Sequence, residues 1–218
     1  IGAGTLATGG IISLIKSFPL IVDTFVGAVK NMKISSETKR TERDINLKFV
    51  VLGVVLTGLA TWLLPNIPIN FFGTLAILVF GFFFATVSSR MVGLVGSSNN
   101  PISGMSIATL LFAALILNAT GNGGIYGMVS AIAIGSVICI ICAVSGDTSQ
   151  DLKTGFLLGA TPKKQQIGEF IGVISSALAI GGTLYLLNKA WGFGTSELAA
   201  PQATLMKLII EGVMQGNL

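Results

Sequence analysis

Stretches of about 20 mostly apolar residues recur along this chain, the length a helix needs to cross the hydrocarbon core of a bilayer. Six can be drawn, at approximately 3–29, 46–64, 69–87, 102–119, 125–145 and 167–188. A further stretch, 203–215, sets Leu205, Leu208, Ile209 and Val213 opposite Lys207 and Glu211. That spacing fits an amphipathic helix at the interface or packed on the bundle. The expected fold is all-α: a polytopic membrane protein, with 1–218 as a single transmembrane domain and an interrupted or re-entrant segment near 88–101.

Composition agrees. The 218 residues are 52% apolar and 10% charged, against about 25% charged in an ordinary soluble domain. A surface covered by so few charges belongs in lipid. The net charge of +4 would point to nucleic acid only from a basic patch on a soluble domain, and here the basic residues fall between apolar runs. No His occurs, which removes the commonest proton shuttle and metal ligand. No paired intramembrane carboxylates and no Ser with an evident base partner stand out, so the expectation is no enzyme, no cofactor and no metal site. Cys139 and Cys142 have C-x-x-C spacing, but their Ile, Val and Ala neighbours favour helix packing over redox chemistry.

The positive-inside rule orients the spans. Lys30 to Lys48 carries six basic residues, so the loop 30–45 is expected on the cytoplasmic side as a solvated, topology-fixing segment. Alternation then puts Arg90, and the loop holding Lys153, Lys163 and Lys164, on that side too. Lys189 is the exception. The opening "IGAGTLATGG" has neither an initiator Met nor a basic n-region, so it is not read as a signal peptide. Both ends read as cuts within a longer protein.

Ionisable residues inside spans are costly and therefore informative. Lys16 lies mid-span with Asp23 two turns on, and Pro19 between them predicts a kink or break. A functional and a structural role stand level for Lys16; for Asp23 the structural one is favoured. Arg90 presents a donor fork suited to carboxylate or phosphate, or sets topology at the boundary. Glu169 either takes up a proton or sits at a helix N-terminus that stabilises its charge. Asn100–Pro101 reads as an N-cap followed by Pro at the first helical position, directing amides into "GSSNN". "GEFIG", Gly168 to Gly172, fits the close-packing G-x-x-x-G pattern.

The stretch "SSRMVGLVGSSNNPISGMSIATLL" resembles the oligopeptide transporter family, which includes the yellow stripe-like metal-chelate transporters. "IGAGTLATGGIISLIKSFP" and "DTSQDLKTGFLLGATPKKQQIGEFIG" are similar to it as well, and the likeness runs on through "AAPQATLMKLIIEGVMQGNL". The resemblance implies a proton-driven secondary transporter importing small peptides or peptide-like metal chelates. It also implies a longer chain, of which this is an interior to C-terminal part that packs with the remaining spans and with lipid. The carry-over covers the Ser88–Gly104 motif, Lys16 and the "DTSQDLKTG" loop. Within it, Arg90 and the Asn100 helix start are the expected substrate contacts. Ser97, Ser98 and Asn99 would add neutral hydrogen bonds, with Ser103 in the same motif. Glu169 is the first choice for proton coupling, with Lys16 and Asp23 as further coupling or gating candidates. The expected location is the cytoplasmic membrane of a bacterium. The alternative is a non-transporting scaffold or an inactive fragment of such a transporter.

Overall fold

A computed structural model of the chain describes residues 39–63, 65, 68–121 and 123–215, with Thr8, Ile12, Ile15, Lys16, Phe18, Pro19, Val22, Asp23 and Val26. Most of the expected first span and of the loop 30–45 lies outside the described residues. A 3-10 turn at Arg40–Glu42 leads into six helices: α1 Leu47–Leu63, α2 Phe71–Val95, α3 Ile102–Ala119, α4 Gly124–Leu157, α5 Pro162–Ala190 and α6 Pro201–Gln215. A second 3-10 turn, Ser97–Asn99, joins α2 to α3. No strand occurs among the described residues. Among the described residues, five helical segments are long and apolar enough to cross a membrane: Arg40–Leu63, which contains α1, and α2 to α5. The chain is an all-α, multi-pass integral membrane protein.

Local chemistry sets the helix ends. The Asn70 side chain caps α2, accepting from the Gly73 amide at 2.8 Å. α2 then continues through Ser88 and Arg90 until Gly96, whose φ of 80° only glycine adopts without strain. The expected interruption near 88–101 is thus confined to 96–101, because nothing before Gly96 breaks the helix. α4 runs 34 residues, about 51 Å at 1.5 Å per residue, well beyond a hydrocarbon core of about 30 Å. Its polar end, 146–157, contains no proline and stays helical until Gly159, which has φ 69°. Thr161 and Pro162 then start α5, with Pro in the first turn.

Two apolar clusters hold α2, α3, α4 and α6 together. Ile77, Ile107, Leu110, Ala114, Leu117 and Ile134 pack with Ile209, Ile210 and Val213 of α6. Nearer the α2–α3 connection, Phe84, Val87, Met105, Ala108, Ile138 and Cys142 form the second. Since lipid tails are as apolar as these side chains, close packing rather than water exclusion is the driving term. Small residues permit it: a Cβ on Gly81 would come within 2.9 Å of Ile141 Cδ1. α6 therefore docks on the bundle, and its Lys207 pairs with Glu211 at 3.7 Å. The peripheral helices differ. Half of the most apolar window of α3 is buried, 11% of that around α1, and none of that in α5.

Candidate functional site

Where α2 runs beside the lower half of α4, hydroxyls cross between them. Ser88 Oγ donates to the Cys142 carbonyl. One residue on, Ser89 Oγ donates to the Ser145 carbonyl at 3.2 Å, and Ser149 Oγ returns a bond to the Ser89 carbonyl at 3.2 Å. Each hydroxyl thus satisfies its donor on a neighbouring backbone and keeps lone pairs free to accept.

Beside this ladder a cleft of about 400 Å³ is lined by Phe82, Ala85, Thr86, Ser89, Arg90 and Ser149. Helical spacing gathers Phe82, Ala85, Thr86, Ser89 and Arg90 on one side of α2, and α4 supplies Ser149. Arg90 is exposed and has no hydrogen-bond or ion-pair partner among the described residues. The cleft therefore offers one free fork of cationic donors ringed by hydroxyl acceptors.

The residues expected to share a site divide. Arg90 lines the cleft; Ser97, Ser98, Asn99, Asn100 and Ser103 do not. The Ser97 amide donates to Gln150 Oε1 at 2.8 Å, and Asn99 Nδ2 to the Val95 carbonyl at 3.2 Å. Ser98 and Ser103 are exposed. Asn100 does not cap α3: the helix begins at Ile102 with no side-chain cap. Its amide instead donates to Ser88 Oγ at 2.6 Å and to the Cys142 carbonyl at 3.3 Å. Buried acceptors on two other elements outcompete the local cap, and Gly146 leaves the room. Thr86, Ser89 and Ser149, which the sequence reading missed, carry a faint signal. The first two share the helical face of Arg90, whereas Ser149 lies 60 residues beyond Ser89.

The coupling candidates lie elsewhere. Lys16 and Asp23 are helical and exposed, as are Phe18, Pro19 and Val22. The residues that would carry the expected kink or break just after Lys16 lie in part outside the described residues. Glu169 sits two turns inside α5 rather than at its N-terminus, because the helix starts at Pro162. Its Oε1 is buried without a hydrogen-bond partner.

A strap formed by 40–45 ties down the α4–α5 turn and the first turns of α5. Arg40 donates to Thr161 Oγ1 at 3.0 Å and to the Gly159 carbonyl at 2.8 Å. The Lys163 amide donates to the Arg43 carbonyl at 2.9 Å. The Ile45 amide reaches Gln166 Oε1 at 2.9 Å, while Gln166 Nε2 reaches Asp44 at 3.3 Å. The described part of this loop is thus docked on the bundle, not simply solvated. Far from it, the Ser196 hydroxyl bonded to Glu197 at 2.8 Å holds that carboxyl below its usual value.

Sequence comparison gives this geometry a family. A family model described as OPT oligopeptide transporter protein matches residues 1–218. A Haemophilus influenzae protein named as an oligopeptide transporter is 32% identical over 254 aligned positions, covering 100% of this chain and 40% of its own length. A Saccharomyces cerevisiae protein, also named as an oligopeptide transporter, is 28% identical over 63% of this chain and 18% of its own. An Arabidopsis thaliana protein named as a metal-nicotianamine transporter is 26% identical over 73% of this chain and 22% of its own. The chain thus spans well under half the length of these relatives. No solved structure matches it significantly. The chain belongs to the oligopeptide transporter family.

Proposed function

We propose that this chain forms part of a proton-coupled importer of oligopeptides or peptide-like metal chelates in the cytoplasmic membrane of a bacterium. The observation that carries the reading is Arg90, unpartnered among the described residues in the α2–α4 cleft. A guanidinium binds carboxylate through paired charge-assisted hydrogen bonds. The oxygens of Thr86, Ser89 and Ser149 accept from an ammonium or amide N–H. Together they fit a zwitterionic, peptide-like solute and leave its side chains unread, as a carrier of varied peptides requires. Ser97, Ser98, Asn99, Asn100 and Ser103, which lie outside the cleft lining, are retained only as secondary candidate contacts in the α2–α3 connection and the start of α3.

Glu169 is the proposed proton carrier. Its unpartnered carboxyl oxygen accepts a proton without breaking an existing bond, and it follows one turn after Gln166, through which the strap holds α5. Lys16 and Asp23 are secondary gating candidates on the first segment.

The test is uptake of labelled peptides and metal chelates by the full-length protein in proteoliposomes. Arg90→Ala is expected to abolish uptake and Arg90→Lys to raise KM. Glu169→Gln is expected to keep substrate exchange while losing accumulation driven by a pH gradient. Wild-type uptake by Arg90→Ala at equal expression would overturn the site. Unchanged gradient-driven accumulation in Glu169→Gln would overturn the coupling role.

A further inference from the structure

Helix α5 is apolar enough to span the bilayer, yet beyond its first two turns, where Glu169 Oε1 is buried, it has little packed on it among the described residues. No residue in it is buried. Gly168, Gly172, Gly181 and Gly182 have open space where a Cβ would stand.

The open surface has two different sides. At 100° per residue, Gly168, Gly172, Ser175, Ala179 and Gly182 fall on one arc, and Phe170, Ile174 and Leu184 lie opposite. The small side is smooth as well as small, because Ser175 donates to the Ile171 carbonyl within the helix at 2.9 Å. Gln165 fixes where it points. It lies on the same arc, its Nε2 donates to the Asp151 carbonyl of α4 at 3.1 Å, and its side chain fills the space over Gly155. The small-residue side therefore faces back toward the bundle, and beyond Gln165 no described residue stands within 4 Å of a Cβ at Gly168, Gly172 or Gly182.

We infer that this slot between α5 and the bundle receives a transmembrane helix from the part of the transporter outside these 218 residues. Small residues line helix interfaces in membranes because they let backbones approach closely, whereas lipid gains nothing from such a surface. The Haemophilus influenzae relative devotes 60% of its length to sequence this chain does not cover, since the match spans 40% of it. A second copy is a poorer occupant. Each α5 turns its small side toward its own α4, so a two-fold partner would have to bring its own α4 into the same slot. The inference rests on family membership and helix geometry, and stands or falls apart from the transport reading.

The experiment uses the full-length transporter containing these residues, in native membranes, with Cys139 and Cys142 replaced by Ala. Ser175→Cys and Ala179→Cys are labelled with a photoreactive maleimide, with Phe170→Cys and Ile174→Cys as opposite-face controls. Irradiation is expected to join positions 175 and 179 to peptides of the same chain outside residues 1–218, and the controls to lipid. Cross-links at 175 and 179 to lipid alone, to residues 1–218, or to an isotope-marked second copy would each overturn the assignment. Because a bulky label can itself displace a helix, oxygen accessibility of small spin labels at the four positions provides a second measurement. Severalfold lower accessibility at 175 and 179 supports the slot; equal accessibility on both sides overturns it.

Discussion

The side-chain amide of Asn100 donates to Ser88 Oγ at 2.6 Å, fastening the α2–α3 connection to the helix before it. Ser88 passes the link to the Cys142 carbonyl of α4, so three elements meet at one node. A Cβ on Gly146 would lie 2.6 Å from Asn100 Nδ2 and 3.0 Å from Ser88 Oγ. Gly146→Ala is expected to expel Asn100 and to destabilise the bundle by more than Asn100→Ala, which should cost about 1 kcal/mol. Because both act on one node, the double variant should be less destabilised than the sum of the singles. Denaturant unfolding in detergent micelles measures all three, and strict additivity would refute the shared node.

The cleft makes a graded prediction. Ser89→Ala and Ser149→Ala remove acceptors from the wall beside Arg90 and also cut the α2–α4 ladder. Each should raise KM severalfold with a smaller effect on kcat, since each weakens binding without touching the guanidinium. Kinetics of peptide uptake check this, and unchanged KM in both would detach the ladder from the cleft.

Arg40→Ala releases two bonds to the α4–α5 turn, at Thr161 and Gly159. Amide hydrogen exchange should then accelerate across 157–166 while the packed centre of α3 stays protected. Gln166→Leu should in addition speed exchange at Ile45, whose amide loses its acceptor. Identical exchange in the variants would mean the strap does not hold the turn.

Ile210 of α6 is 1% exposed. Its replacement by Ala should cost about 2 kcal/mol or more, the range for a large apolar side chain cut to Ala in a packed site. Leu208→Ala, on the exposed side at 60%, should cost far less. Comparing the midpoints of the two unfolding curves decides whether α6 is part of the bundle or merely rests on it.

Cys142 is buried and Cys139 partly so. A membrane-permeant maleimide should therefore modify Cys139 well before Cys142, and oxidant should leave the unfolding midpoint unchanged. Faster labelling of Cys142, or a shift with oxidant, would restore the redox reading of the C-x-x-C pair.

How much of this was legible beforehand depends on the residue. The apolar runs around 46–64 and 102–119 lie close to α1 and α3, because bilayer thickness leaves one length for a spanning helix. The end of α4 escaped because hydropathy stops at the membrane edge, whereas a helix needs only the absence of a breaker before Gly159. Arg90 was visible as a lone charge between apolar runs. Its neighbour Ser149 was not, since it arrives from another helix. Asn100 misled: the Asn–Pro pair has the chemistry of a cap, but a side chain bonds to whichever acceptor the fold brings near.

By itself the sequence determined that the chain lives in a membrane as a set of helices, because an apolar run of about 20 residues has the length at which a helix satisfies its own backbone across lipid. Its extended motifs determined which family it joins. The tertiary structure decided which helices pack and which stand apart, that Asn100 locks Ser88 to α4, and that Arg90 opens onto a cleft. Those outcomes depend on contacts between residues far apart in the chain, such as Ser89 with Ser149, whose meeting is set by helix-on-helix fit and not by any local pattern.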